Sequence, residues 1–163
     1  MHSRGKYGHR HCQSGITLIE LLIVLAVLAT LAGIAAAGYR SYRTTSQIDA
    51  AKREIIEISS VIERYHLANN AWPDTLADIG YSEKLDPWGN NYIYARIPSI
   101  LENVSIGGTM LRQDANLRPI NTFYDLYSMG EDGKTTNNIS APISHDDVIR
   151  AQDGEFIGLA QDY

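Results

Sequence analysis

The chain has 163 residues, 44% of them apolar and 20% charged, which suits one globular domain with an appendage and argues against a disordered chain. Its net charge of −5 becomes −8 without Arg4, Lys6 and Arg10, the only formally charged residues among the first fifteen. A chain this acidic repels phosphate, which argues against nucleic acid as a partner. The single cysteine, Cys12, lies in that basic start. A product lacking residues 1–15 therefore has no disulfide, and an exported domain must be stabilised some other way.

Residues 15–39 read GITLIELLIVLAVLATLAGIAAAGY, almost wholly apolar but for Glu20. Residues 21–39 contain no Asp, Glu, Lys or Arg. As a helix they span roughly a 30 Å hydrocarbon core. Arg4, Lys6 and Arg10 precede the run, so the positive-inside rule keeps the start in the cytoplasm and sends the rest outward. Arg40 and Arg43 weaken that asymmetry without reversing it. A secretory signal is the competing reading, with AAA at residues 35–37 as a small-residue cleavage site. The run exceeds the roughly 7–15 apolar residues of such signals, and Glu20 interrupts its front edge. A charge at membrane depth costs about 2.5–3.5 kcal/mol, so Glu20 is a functional candidate.

After Arg43 the pattern turns amphipathic. Ile48, Ala51, Ile55, Ile58, Ile62 and Tyr65 recur at spacings of three and four, one apolar stripe on a helix. Asp49–Arg53 and Arg53–Glu57 have the spacing of weak i,i+4 ion pairs. The helix is expected to end near Asn69 and Asn70, before Trp72-Pro73. One helix thus runs from Ile16 to about Asn69, roughly 80 Å at 1.5 Å per residue. The stripe covers fewer than three heptads, which favours packing against a domain over a coiled coil.

DPWG at residues 86–89 has Asp, Pro and Gly at the positions a type I turn prefers. A strand is expected over residues 92–97 and a second over residues 123–128, ended by Met129-Gly130. The polar stretch between, residues 98–119, reads as irregular. So few short strands make one small antiparallel sheet lying on the helix the economical fold. The acidic C-terminal third reads as loop.

SGITLIELLIVLAVLATLAG resembles the leader junction and N-terminal helix of type IV pilin-like proteins, the pilins and the pseudopilins of type II secretion. The resemblance implies cleavage between Gly15 and Ile16 by a prepilin peptidase on the cytoplasmic side, then N-methylation of Ile16. Ile16 stands where the family usually has Phe or Met, and the helix-kinking proline often found in the run is missing. LDPWGNNYIY and YDLYSMGEDGK are similar to the C-terminal half of the major pseudopilin. The tail after them is longer than the family's Gly-rich loop. The resemblance implies a homopolymer working with minor pseudopilins and an inner-membrane assembly platform. In such a filament Glu20 of one subunit is expected to meet the Ile16 ammonium of its neighbour, each charge satisfying the other in low dielectric. Snorkelling of Glu20 to the headgroups, or pairing with its own Ile16, is the bland alternative.

Glu131, Asp132, Asp146, Asp147, Asp153, Glu155 and Asp162 make the last third acidic. The plain reading is a solvated surface. The sharper one is calcium, which takes six to eight oxygens. MGEDGK sets Asp132 in a Gly-flanked turn, and HDDV returns Asp146 or Asp147 towards it. The segment lacks the EF-hand ligand pattern. The family resemblance implies calcium at this place, carried over to Asp132 and the Met129 carbonyl, and across the longer loop to Asp146 and Asp147.

Other signals are weaker. His66 and His145 show no ligand spacing, and no phosphate loop or nucleophile elbow is present. Residues 103–105 and 138–140 match the glycosylation tripeptide but read as plain loop. Tyr65, Trp72, Trp88, Tyr92 and Tyr94 read as core or sheet packing. The expected product is therefore α+β and pilin-like, an assembly subunit rather than an enzyme. Its parts are a leader over residues 1–15, a transmembrane or filament-core helix over residues 16–42, and a periplasmic domain over residues 43–163. Secretion pseudopilus, surface type IV pilus and membrane-tethered binding module are the three readings, in that order.

Overall fold

The computed structural model describes residues 16–98 and 111–163. One long helix, α1 (Leu18–Asn69), precedes four short strands: β1 (Ile93–Arg96), β2 (Tyr124–Ser128), β3 (Val148–Ala151) and β4 (Phe156–Leu159). The strands form one antiparallel sheet in the order β1-β2-β3-β4. The chain divides between Ser41 and Tyr42 into two units.

The first unit, described from Ile16, is helix with its apolar side chains uncovered. Leu18, Ile19, Leu21, Leu22, Ile23, Val24, Leu25 and Leu28 are all at least half exposed. The helix starts at Leu18, two residues later than the apolar pattern suggested, because Thr17 serves as its N-cap.

In the second unit α1 packs one stripe. Ala51, Ile55, Ile58 and Ile62 are fully buried against Leu76, Tyr92, Tyr124, Leu126 and Val148. The spacing of four, three and four keeps them on one side of the helix. Each buried isoleucine contributes about 1.5–3 kcal/mol relative to solvent exposure. The two expected i,i+4 pairs form no ion pair within 4.0 Å among the described residues. Glu57 instead accepts the Tyr81 hydroxyl at 2.7 Å. Glu54 takes Lys84 at 3.0 Å and the Tyr92 hydroxyl at 2.7 Å, tying the helix to the segment before the sheet. The helix ends as expected. Asn70 turns to φ 53°, the left-handed conformation asparagine tolerates, and its N–H caps the His66 carbonyl at 2.8 Å.

Strand β2 is buried along its whole length, so both faces of the sheet are covered. Tyr124 and Leu126 point to the helix. Tyr127, one residue out of phase, joins Ile120, Ile139, Ile149, Ala151 and Ala160 in a second core on the far face. The C-terminal third, expected as loop, therefore supplies β3, β4 and much of that second core. Its strands are only four residues long, β3 is interrupted by Arg150, and the turn between them uses left-handed Gln152, Asp153 and Gly154. Between so many acids, runs that short give no visible alternation.

The turn at residues 86–89 is closed by the Gly89 N–H on the Asp86 carbonyl at 3.0 Å. Asp86 is buried. Its Oδ1 accepts the Trp88 and Asn90 N–H groups at 3.0 and 2.8 Å, and its Oδ2 accepts the Ser128 hydroxyl at 2.5 Å. Asn90 Nδ2 donates to the Gly130 carbonyl at 3.1 Å. The two motifs that drew the resemblance are thus bonded to each other.

Candidate assembly site

Gly15, the residue before the expected cleavage point, lies outside the described residues, as do the first glycosylation tripeptide and Cys12. Ile16 follows, 77% exposed. Thr17 and Glu20 then form a reciprocal cap. The Thr17 hydroxyl accepts the Glu20 N–H at 3.3 Å, and Glu20 Oε2 lies 3.5 Å from both the Thr17 nitrogen and its hydroxyl. This is the capping-box arrangement, Thr-x-x-Glu, which satisfies otherwise orphaned N–H groups of the first turn. A carboxylate there also faces the positive end of the helix dipole. Glu20 thus serves its own helix with Oε2, while Oε1 accepts no hydrogen bond among the described residues. Sequence reasoning gave Glu20 an assembly role, pairing with the Ile16 ammonium, and did not see the cap. The signal for its second role was the spacing to Thr17.

Beyond the cap, α1 holds an 18-residue window of mean hydropathy 2.6, none of it buried. It is long and apolar enough to cross a membrane. Contiguous apolar surface of this extent marks a lipid or protein interface.

At the other end of the sequence the four expected calcium ligands split into two groups. Met129 is half-buried and packs on the second core. Asp132 is exposed, and its N–H donates to Asp146 Oδ2 at 3.1 Å. Gly130, at φ 65°, admits this approach. A Cβ there would sit 2.3 Å from the Asp146 carbonyl oxygen and 2.6 Å from its Oδ2. Asp132 and Asp146 are therefore brought together. Asp147 is not with them. It is buried, and its Oδ2 takes Arg112 Nη2 at 2.5 Å and the Thr135 hydroxyl at 2.6 Å. Burial pushes its carboxyl up to about 6, against the lowering pull of Thr135 and Arg112. Among the described residues no group of three or more His, Cys, Asp or Glu side chains is placed to hold a metal.

Arg112 is the residue sequence reasoning missed. Its guanidinium is fully buried in the C-terminal third, bonded through Nη1 to the Thr135 hydroxyl and the Thr136 carbonyl and stacked 4.4 Å over the Tyr127 ring. Its backbone N–H donates to buried Asp125 at 2.8 Å. Burial raises the Asp125 carboxyl, while Asn121 and the Arg112 amide lower it. No spacing signal marks Arg112, because its side-chain partners lie 23 to 35 residues downstream.

His66 stacks flat on Trp72 at 3.9 Å, and Trp72 continues to Phe123 at 5.2 Å, an aromatic packing role. Tyr92 is buried in the first core, with Trp72, Trp88 and Tyr94 packed against it.

No curated protein and no solved structure matches the chain. Residues 10–36, which hold the expected cleavage point, the cap and most of the apolar run, match the family model described as the prokaryotic N-terminal methylation motif, so the chain opens with a type IV pilin-like processing signal.

Proposed function

We propose that the chain is a structural subunit, not an enzyme, which polymerises through α1 into a short pseudopilus-like filament serving type II protein secretion. The observation that carries this reading is the methylation motif over residues 10–36, continuous with an uncovered apolar helix. Prepilin peptidase cleaves between Gly15 and Ile16, and Ile16 is then methylated. The subunit waits in the inner membrane with its start in the cytoplasm and its folded part in the periplasm. On assembly, Glu20 Oε1 meets the new Ile16 ammonium of a neighbour, so one carboxylate caps its own helix and sets the register between copies. Minor pseudopilins and an inner-membrane platform are the expected partners.

The secretion reading is supported by the bonded pair of motifs, Asp86 to Ser128 and Asn90 to Gly130, which together resemble the major pseudopilin. The longer tail that builds β3 and β4 departs from that family and keeps a type IV pilus, for adhesion, motility or DNA uptake, as the second reading. Calcium, implied by the resemblance, would rest on Asp132, Asp146 and nearby carbonyls including that of Met129. Asp147 is already neutralised by Arg112.

The test is mass spectrometry of chain purified from the membrane, with Glu20→Ala alongside. A product starting at methylated Ile16, with Glu20→Ala inserted but unable to form filaments, is expected. Normal filaments from Glu20→Ala, or a chain never cleaved, would overturn the proposal. Loss of export of folded proteins in a deletion strain separates the pseudopilus from the surface pilus.

A further inference from the structure

Where the apolar run ends, α1 carries Tyr39, Arg40, Tyr42 and Arg43, all exposed. Tyr39 is 68% exposed and Tyr42 73%, whereas tyrosine is ordinarily part-buried. Neither arginine makes an ion pair or a side-chain hydrogen bond among the described residues. Their place sets them apart from the other exposed arginines. No Asp or Glu stands between Leu21 and Ile48, so α1 offers neither of them a carboxylate within one turn. Arg53 has Asp49 and Glu57 at that distance, and Arg118 shares a tight turn with Asp114. Arginines on the outward side also run against the positive-inside rule, so these two call for a local anion.

Tyr39 lies about 27 Å along α1 from Leu21, close to the thickness of a hydrocarbon core. With Glu20 at one boundary, the four residues come to the headgroup level of the other. Tyr39 and Tyr42 lie about 60° apart around α1, as do Arg40 and Arg43, and the four share roughly 160° of its circumference. We propose that this face binds the phosphate groups of anionic phospholipids in the outward leaflet. The two guanidiniums take phosphate oxygens in forked hydrogen bonds, and the two phenols lie at the headgroup boundary, ring towards the chains and hydroxyl towards water. The inference rests on the membrane reading above. The apolar run continues without a break into this face, so a lipid phosphate is the anion its position supplies. The contact belongs to the waiting subunit, and it breaks when the helix leaves the bilayer for the filament.

To test this, the full-length chain is purified in detergent and titrated with phosphatidylglycerol or phosphatidylcholine, bound lipid being counted by native mass spectrometry. The wild-type chain is expected to prefer phosphatidylglycerol. Arg40→Gln and Arg43→Gln should each weaken that preference about fivefold, one cation's share near an anionic surface. The double variant should bind the two lipids alike and keep the wild-type melting midpoint, since both residues are exposed. It should also still form filaments in full, because the contact is made before assembly. Equal binding of both lipids by the wild-type chain, or an unchanged preference in the double variant, overturns the lipid contact and leaves the membrane reading standing. Inorganic phosphate that displaces phosphatidylglycerol at equal concentration makes the face a free-anion site and overturns it. Filament loss in the double variant with its lipid preference intact assigns the arginines to a carboxylate of a second copy, which also overturns it. A wild-type chain released from membranes by alkaline carbonate overturns both proposals.

Discussion

Arg112 is a buried charge and Glu20 a charge on an apolar helix, and only one announced itself. Glu20 was legible because an acid within a membrane-length run is costly wherever it sits. Arg112 lies in a stretch read as irregular, and only the fold reveals that Thr135, Thr136 and Asp147 converge on it. Its guanidinium supplies a fixed internal cation to the C-terminal third, where no disulfide is available. Removing one member of a buried pair leaves the other charge unmatched, which costs about 3–5 kcal/mol. Arg112→Met should therefore lower the unfolding free energy by that order in denaturant melts of the detergent-solubilised chain. Arg112→Met with Asp147→Leu should recover much of the loss, since an apolar replacement for both partners leaves no charge stranded. A double variant worse than either single would show that the hydrogen bonds to Thr135 and Thr136 matter more than the charges.

At the scale of elements, α1 was the most legible part. Its stripe of Ala51, Ile55, Ile58 and Ile62 is the buried stripe, and its end at Asn69 matches the sequence reading. Strands β1 and β2 were read one or two residues too long at their ends, where pairing stops before the β-type residues do. Strands β3 and β4 were not seen, for a physical reason. β3 is buried on both faces and lacks alternation, and its Arg150 looks solvent-facing until the Tyr124 ring is found 4.1 Å beneath its guanidinium. The helix offers an internal comparison. Ile58 is fully buried and Ile56 is 54% exposed, two residues apart on the same element. Ile58→Ala should cost about 2–5 kcal/mol and Ile56→Ala well under 1, read from unfolding midpoints at constant slope. Equal costs would mean that the stripe does not anchor the sheet.

For the whole molecule, two clamps close the tail: the Arg112 cluster and the turn where Asp146 accepts the Asp132 N–H. The calcium of the proposed reading would act only at the second. At a hundred times its dissociation constant it should add about 2.7 kcal/mol, a melting shift of several degrees that Asp132→Ala abolishes. Chelator should still leave the tail folded, because Arg112 is untouched. No shift with calcium would mean that the turn is held by packing alone.

The placing of Val148 also has a consequence in time. Ile62 completes the buried helical stripe, but Val148, the β3 member of the same core, comes 86 positions later in the sequence. At about 5–20 residues per second, the ribosome needs roughly 4–17 s to make that stretch. For those seconds the nascent chain carries an isoleucine stripe whose core is incomplete, directly after a membrane-length apolar run. With α1 inserted in the membrane as proposed, the lipid surface would be the nearest place to shelter that stripe from aggregation until the sheet is complete.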